Sequence, residues 1–216
     1  ENCYYYQDTA SQYCCLALDA QPGETVADVC AAPGGKSFTL AQKMQNRGKI
    51  VSGDIYSQKC ETVARRAATL GITCIETVTR DASEPIPAAW RGAFDRVLCD
   101  APCSGLGVIR RKPEIRYKTP DDTASLPALQ RKILCRCAEM VKPGGVLQYS
   151  TCTVRPEENG RVAEAFLQEH PNFSPRVLPL PLCFERAGRS MDYSITLFPH
   201  IQETDGFFIA SFQKNA

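Results

Sequence analysis

The sequence predicts an α/β fold in which a mostly parallel sheet is covered by helices on both faces. Short runs with strand character alternate along the chain with longer segments of helical periodicity, and glycine or proline separates several of them. Polar residues follow the ends of successive predicted strands. Because parallel strands bring their carboxyl ends to one edge of a sheet, these polar residues are expected to form a single site.

Each element follows from the same periodicity. The predicted strands cover residues 25–29, 49–54, 74–79, 94–100, 146–150, 193–198 and 206–212. The predicted helices cover residues 9–18, 37–44, 57–70, 122–140 and 156–170, with Gly48, Gly71 and Pro143-Gly144-Gly145 as stop signals. Pro156 suits the first position of the last helix, where Glu157 and Glu158 would complement the helix dipole. The proline-rich segment 171–189 is interpreted as an irregular connection, and 199–205 as a loop.

Composition indicates a globular protein of one domain spanning residues 1–216. The chain has 25 Lys and Arg against 24 Asp and Glu, so any basic surface must be local rather than global. A hydrophobic share of 44% suits a globular core. No apolar run approaches the roughly 18 residues that a membrane span requires, so no membrane association is expected.

The twelve cysteines are too few for a disulfide scaffold of this size. Most are expected to be reduced packing residues in a cytoplasmic protein. The sequence contains no C-x-x-C pair and only two histidines, His170 and His200, so no metal site is predicted.

A turn of small residues follows the first predicted strand and leads into a helix. Its backbone N–H groups can hold a carboxylate or a phosphate. The turn lacks both the G-x-G-x-x-G pattern and the first glycine of a phosphate-binding loop, which disfavours a dinucleotide or nucleoside triphosphate. The residues of this turn are Cys30, Ala31, Ala32, Pro33, Gly34, Gly35 and Lys36.

Aspartates stand at or after the ends of the next three strands, at Asp54, Asp81 and Asp100. Asp54 lies about twenty residues beyond the glycine turn, where a carboxylate can accept hydrogen bonds from both ribose hydroxyls. A single aspartate at a strand end is more often a turn or capping residue. Three of them together with the glycine turn favour an adenosine site, and S-adenosylmethionine is the predicted cofactor.

Two cysteines follow neighbouring strands. Cys103 lies in the segment Asp100-Ala101-Pro102-Cys103, and Cys152 follows Thr151 after the fifth strand. A cysteine taken alone is most often a small buried hydrophobe. Two thiols at the same edge as a methyl donor instead suggest covalent catalysis.

An ordered set of motifs over nearly the whole chain resembles the Sun-type RNA cytosine-5 methyltransferases, most closely the bacterial small-subunit ribosomal RNA methyltransferase B group. The matching segments are 7–11, 30–36, 100–105, 107–115, 151–159 and 203–208. Each motif alone is modest, whereas the ordered set is highly specific.

This resemblance implies a Rossmann-like fold with a seven-stranded sheet and an antiparallel last strand. It implies that S-adenosylmethionine binds through residues 30–36, Asp54, Asp81 and Asp100. It also implies that Cys152 is the nucleophile and that Cys103 assists product release. The upstream RNA-binding domain of the family has no match here, so a catalytic domain alone with weak RNA binding is expected.

The implied partner is RNA, most readily ribosomal RNA. A basic stretch after Cys103 is the predicted contact surface, centred on Arg110, Arg111 and Lys112 and continuing through Arg116, Tyr117 and Lys118. The same stretch could be ordinary solvated surface, as is expected for Arg65 and Arg66.

Three alternatives stay open on the sequence. An amino-group methyltransferase would need an aromatic residue after the fourth strand, where Asp100-Ala101-Pro102-Cys103 has none. A noncatalytic binding module would be expected to lose Cys152 or the glycine turn. A phosphate-loop nucleotidase would require glycine at the position of Cys30.

Overall fold

A computed structural model describes residues 4–119, 121–179 and 190–216. The strands are β1 (Thr25–Asp28), β2 (Lys49–Asp54), β3 (Ile75–Thr79), β4 (Phe94–Asp100), β5 (Val141–Thr151), β6 (Phe173–Pro175), β7 (Ser190–Met191), β8 (Ser194–Leu197) and β9 (Phe207–Lys214). The helices are α1 (Thr9–Leu18), α2 (Gly35–Lys43), α3 (Ser57–Thr69), α4 (Leu126–Met140), α5 (Gly160–Glu169) and α6 (Pro199–Gln202). Short 3-10 helices cover residues 88–90, 106–108, 113–117 and 121–123.

The nine strands of the described residues form one sheet. Its order is β3-β2-β1-β4-β5-β9-β8-β7, and β6 pairs with β9. Strands β1 to β5 are mutually parallel, whereas β9 runs antiparallel to β5. The predicted parallel sheet with an antiparallel last strand is confirmed. The two short strands β6 and β7 extend the seven predicted strands to nine.

Side chains alternate between the two faces of the sheet, as strand geometry requires. On β4, Val97 and Cys99 join the hydrophobic cluster that packs against α4 and α5. Leu98 points the other way, into the cluster formed with α1 and α2. Helices therefore cover both faces, and the carboxyl ends of the central strands remain uncovered at one edge.

Helices α1, α2 and α3 and strands β1 to β4 agree with the prediction to within two residues at each end. Helix α4 begins at Leu126, after a separate 3-10 turn over Asp121–Thr123, rather than at Asp122. The predicted loop 199–205 contains the four-residue helix α6, and part of the predicted irregular connection forms β6. Residues 180–189 of that connection, including Pro181, lie outside the described residues.

The predicted stop signal at residues 143–145 lies inside a strand. Pro143-Gly144-Gly145 do not separate a helix from a strand, because α4 ends at Met140 and β5 begins at Val141. They instead occupy an irregularity within β5, where the pairing with β4 shifts between Phe94 and Arg96. Within the described ranges, no helix combines the length and the apolar character needed to cross a membrane.

The helix predicted to begin at Pro156 begins four residues later, at Gly160. Residues 156–159 form turns, in which the backbone N–H of Asn159 donates to the carbonyl of Pro156 at 3.2 Å. The interpretation of Glu158 as a partner of the helix dipole is therefore wrong. Glu158 and Asn159 are buried and bond to two loops of the site described next.

Candidate active site

The turn between β1 and α2 lies at the carboxyl edge of the sheet, as predicted. The N–H of Ala31 donates to the carbonyl of Gly53 at 2.7 Å, which fastens the turn to the end of β2. Gly34 precedes α2 with a φ of 106°, a conformation that favours glycine. A Cβ at this position would also lie 2.4 Å from Cζ of Phe38. The glycine thus satisfies both the backbone conformation and the packing of the turn.

Two clefts open at this edge. The first, the acidic cleft, has a volume of about 410 Å³ and is lined by Asp54, Asp81 and Asp100 together with apolar residues of α4. The second, the thiol cleft, has a volume of about 380 Å³ and is lined by Lys36 and Cys152. Residues shared by both linings are Cys30, Ala32 and Asp100. The clefts therefore meet at the glycine turn and the end of β4.

Backbone groups orient the carboxylates of the acidic cleft. Asp54 accepts a hydrogen bond from the N–H of Tyr56 at 3.1 Å, and Lys59 Nζ lies 3.7 Å from the same oxygen. Asp81 accepts from the N–H of Ser83 at 2.8 Å, and this bond holds the pKa of Asp81 below its ordinary value. These are fixed acceptors at the ends of β2 and β3.

The acidic cleft fits the chemistry of an adenosine. Its carboxylates can accept hydrogen bonds from hydroxyl groups, and Ile55, Leu129 and Ile133 supply apolar walls for a flat ring. Where the clefts meet β1, Oδ1 of the fully buried Asp28 has no hydrogen-bond partner among the described residues. Burial raises the pKa of Asp28 to about 7. Sequence reasoning treated Asp28 only as part of a strand and missed this carboxyl group.

Lys36 lines the thiol cleft, together with Ala31, Pro33 and Gly35 of the predicted cofactor turn. Its Nζ lies 2.7 Å from an oxygen of Asp100 and 5.0 Å from the centre of the Phe207 ring. Burial lowers the pKa of Lys36, but the Asp100 carboxylate raises it, and the resulting pKa lies above the ordinary value. The ammonium group therefore stays charged. The other Asp100 oxygen accepts from Ser150 Oγ at 2.7 Å.

The structure brings the two predicted cysteines together. Their sulfur atoms lie 3.3 Å apart, and Cys152 also lines the thiol cleft. Hydrogen bonding from the Cys103 thiol lowers the pKa of Cys152 below its ordinary value, although burial and Asp100 act in the opposite direction, and Lys36 adds a smaller lowering effect. The same hydrogen bond, followed by burial, raises the pKa of Cys103. The pair thus favours a thiolate on Cys152 and a neutral thiol on Cys103.

Buried polar side chains hold the two cysteine loops in place. Glu158 Oε2 accepts from the N–H of Ser104 at 2.8 Å and from Gln130 Nε2 at 2.9 Å. Ser104 Oγ in turn lies 2.8 Å from Thr153 Oγ1, which joins the Cys103 loop to the Cys152 loop. Glu158 itself is fully buried. We call Ser104, Gln130, Thr153, Glu158 and Asn159 the loop clamp.

Asn159 completes the loop clamp on the Cys152 side. Its Oδ1 accepts from Thr151 Oγ1 at 2.6 Å, and its Nδ2 donates to the Thr153 carbonyl at 2.9 Å. Asn159 therefore binds both sequence neighbours of Cys152. Sequence reasoning missed these clamp residues, although Glu158 and Asn159 stand within a motif that carried the family resemblance.

Backbone hydrogen bonds through two glycines hold the backbone of Cys152 in place. The N–H of Gly107 donates to the Cys152 carbonyl at 3.0 Å, and the N–H of Gly206 donates to the Gly107 carbonyl at 2.8 Å. A Cβ on Gly107 would lie 1.9 Å from the Gly206 carbonyl oxygen. Only glycine permits this contact, which connects Cys152 to the start of β9.

Much of the predicted RNA-contacting stretch is engaged within the protein. Arg110 bonds to Asp205 and to Asp8, both at 2.8 Å. Arg111 also pairs with Asp205, which is almost fully buried. The charges of these two arginines and two aspartates cancel at the rim of the thiol cleft. Lys112 lines the same cleft and has no ion-pair partner in the described part of the chain.

A second cluster could bind a metal in principle. Ligand atoms of Cys135, Glu169 and His170 lie within 4.8 Å of one another. However, Glu169 pairs with Arg131, and His170 Nδ1 lies 3.0 Å from the Phe166 carbonyl oxygen. The absence of a metal site stays a prediction.

The sheet order, the glycine turn and the acidic cleft together define a Rossmann-like, S-adenosylmethionine-dependent methyltransferase fold. Residues 15–213 match the family model described as 16S rRNA methyltransferase RsmB/F. The chain belongs to this family. The resemblance derived from the ordered motifs is therefore confirmed.

Individual relatives agree with this assignment. The chain is 46% identical over 215 residues to the probable ribosomal RNA small subunit methyltransferase B of Bacillus subtilis, covering 96% of this chain and 47% of the relative. It is 37% identical to the corresponding probable protein of Synechocystis, covering 99% of this chain and 48% of the relative. The chain thus spans about half the length of these curated relatives.

A solved structure described as NSun6 from Pyrococcus horikoshii with SFG superposes on this fold with a TM-score of 0.87. The two sequences are 27% identical, and the match covers 98% of this chain and 53% of that chain. The similarity in fold therefore extends over nearly the whole of this chain.

Glu158→Gln is expected to lower the free energy of unfolding by about 1–3 kcal/mol, because a charged acceptor of two buried hydrogen bonds becomes neutral. Urea denaturation measures this change. Glu157→Gln is the matched control, since Glu157 is only half-buried and its ion pairs are long. Equal stability of both variants would show that the clamp does not depend on the Glu158 charge.

Alkylation of Cys152 by iodoacetamide is expected to reach half its maximal rate at a lower pH than that of an ordinary thiol, because only the thiolate reacts. Cys103→Ala removes the thiol donor and should move this midpoint to higher pH. Cys103→Ser retains a donor and should move it less. Peptide mass spectrometry over a pH series follows Cys152 alone, and an unchanged midpoint in Cys103→Ala would contradict the assigned hydrogen bond.

Proposed function

We propose that this chain methylates carbon 5 of a cytosine in RNA, through a covalent bond between Cys152 and carbon 6 of the base. The proposed substrate is small-subunit ribosomal RNA, as the names of the relatives suggest. The observation that carries the proposal is the 3.3 Å contact that favours a Cys152 thiolate beside Lys36. An amino-group methyltransferase has no use for such a thiolate.

The chemistry requires a nucleophile because carbon 5 of cytosine reacts poorly with electrophiles. Addition of the Cys152 thiolate to carbon 6 moves the electron pair of the C5–C6 double bond toward carbon 5. Negative charge develops on the pyrimidine ring in this step. The Lys36 ammonium, on a side chain that is 14% exposed, lines the same cleft and can stabilise that charge.

S-adenosylmethionine, when bound, supplies the methyl group as an electrophilic sulfonium. Asp54 and Asp81 are proposed to hold its ribose and adenine side in the acidic cleft. Cys30, Ala32 and Asp100 line both clefts and would orient the donor toward the base. Lys36 lines only the thiol cleft and is proposed to face the base.

Release of the product requires removal of the proton on carbon 5. The electron pair of that C–H bond restores the C5–C6 double bond and expels Cys152 as a thiolate. Cys103 is proposed to lose its own thiol proton to water and then, as a thiolate, to accept the carbon 5 proton, directly or through water. The main cause of its raised pKa is its hydrogen bond to Cys152, which is lost once Cys152 bonds to carbon 6. Adduct formation would thus prepare Cys103 to act as a base.

The target base must leave any stack to reach Cys152, and an unpaired nucleotide does so at the lowest cost. Both thiols must also stay reduced, which agrees with the proposed cytoplasmic location. All ten cysteines of the described residues are free.

The two cysteine variants are expected to fail in opposite ways. With small-subunit ribosomal RNA and S-adenosylmethionine, Cys103→Ala should form a protein–RNA complex that survives denaturing electrophoresis, because addition proceeds and elimination stalls. Cys152→Ala should form no complex and transfer no labelled methyl group.

The double variant is the control and should also form no complex. Accumulation of the complex in Cys152→Ala but not in Cys103→Ala would reverse the two roles. Full activity of both single variants would exclude the covalent mechanism.

A further inference from the structure

Three consecutive tyrosines precede α1, and the middle one fastens the segment to α2. The Tyr5 hydroxyl lies 2.8 Å from Thr39 Oγ1, and its ring packs edge-to-face on Phe38 with centroids 5.5 Å apart. Its neighbours face solvent instead. Tyr4 is 66% exposed and Tyr6 is 92% exposed, and their rings contact each other at 5.7 Å. The structure thus presents two aromatic rings on an anchored segment.

Tyr6 stands between the thiol cleft and a third cleft. The third cleft has a volume of about 580 Å³ and is lined by Tyr4, Tyr6 and Arg66, so we call it the tyrosine cleft. Tyr6, Pro33 and Gly35 line both clefts. The surface is therefore continuous from Cys152, past the ring of Tyr6, to Arg66.

The chemistry of this surface suits a nucleotide of single-stranded RNA. Exposed aromatic rings stack on bases of any sequence, and a nearby arginine can bind the phosphate backbone. The volume lies within the range of small-molecule sites. Arg66 has no ion-pair partner in the described part of the chain, in contrast to Arg110 and Arg111. Its charge is thus available to a phosphate.

We propose that the tyrosine cleft is a subsite for the nucleotide next to the target cytosine, with Tyr6 stacking on its base and Arg66 contacting its phosphate. This inference rests on the proposed function, since it requires the target cytosine in the thiol cleft. It changes the interpretation of Arg66, which the sequence suggested to be ordinary solvated surface. It also moves the main RNA contact away from Arg110 and Arg111.

The test uses a short single-stranded RNA with one cytosine and 2-aminopurine on one side of it, in two versions that place the probe before or after the cytosine. Stacking on Tyr6 should quench the probe in one version when the chain binds. Tyr6→Phe should retain the quenching, because the ring is kept. Tyr6→Leu should lose it and bind about tenfold more weakly.

Arg66→Ala should weaken binding and lower the salt dependence by about one counterion. Arg65→Ala is the matched control, because Arg65 is equally exposed but lies outside the lining of the tyrosine cleft. Equal effects of the two arginine variants would overturn the phosphate contact. Because Tyr6 is almost fully exposed, Tyr6→Leu should leave the free energy of unfolding unchanged, which separates stacking from folding.

A parallel reaction distinguishes failure of this inference from failure of the proposed function. The same RNA is incubated with S-adenosylmethionine and either Cys103→Ala or the double variant Cys103→Ala, Tyr6→Leu. One outcome is that both proteins form the covalent complex at the same RNA concentrations and that Tyr6→Leu does not change the quenching. In that case the tyrosine subsite is wrong and the proposed function stands. If neither protein forms a complex, the proposed function fails and this inference fails with it.

Discussion

The contact between the sulfur atoms of Cys103 and Cys152 is the interaction on which the rest of the site depends. A single hydrogen bond gives the two thiols different properties, because it stabilises the thiolate of Cys152 and the neutral form of Cys103. The contact joins loops that follow different strands, β4 and β5. The fold must therefore hold these two loops in fixed positions relative to each other. The loop clamp does this through the buried carboxylate of Glu158.

Placing charged groups at this site lowers the free energy of unfolding rather than raising it. Removing a carboxylate or an ammonium group from water carries a large penalty that an ion pair only partly offsets. Lys36 and Asp100 nevertheless pair at 2.7 Å between the two clefts. This pair places a cation beside Cys152 while Asp100 stays oriented by Ser150. In the proposed mechanism, this cation would stabilise the charge that develops on the pyrimidine during thiolate addition.

The sheet and the strand-end residues could be predicted because local pattern determines them. The apolar runs of β1, β2 and β4 and the glycine turn before α2 follow from periodicity and backbone conformation alone. The start of α5 could not be predicted in this way. Pro156, Glu157 and Glu158 are typical of a helix start. In the structure, however, Glu158 is buried and accepts a hydrogen bond from the backbone of Ser104. Tertiary contacts therefore override a favourable local signal.

The sequence also could not predict where individual charged side chains point. Lys36 follows the glycine turn directly, yet its ammonium group extends toward the thiol cleft because Asp100 and Phe207 lie there. Arg110 and Arg111 suggest a basic surface, but Asp205 and Asp8, distant in the sequence, pair with them. A list of charges along a chain does not reveal which of them the fold neutralises.

The central claim is that Cys152, and not Cys103, bonds to the base. The most direct measurement uses the unaltered chain with S-adenosylmethionine and small-subunit ribosomal RNA containing 5-fluorocytidine. Fluorine on carbon 5 cannot leave as a proton does, so the adduct persists after methyl transfer. Digestion and mass spectrometry then identify the attached peptide. The account predicts a methylated fluorocytidine on the peptide that contains Cys152, whereas attachment to Cys103, or no attachment, would contradict it.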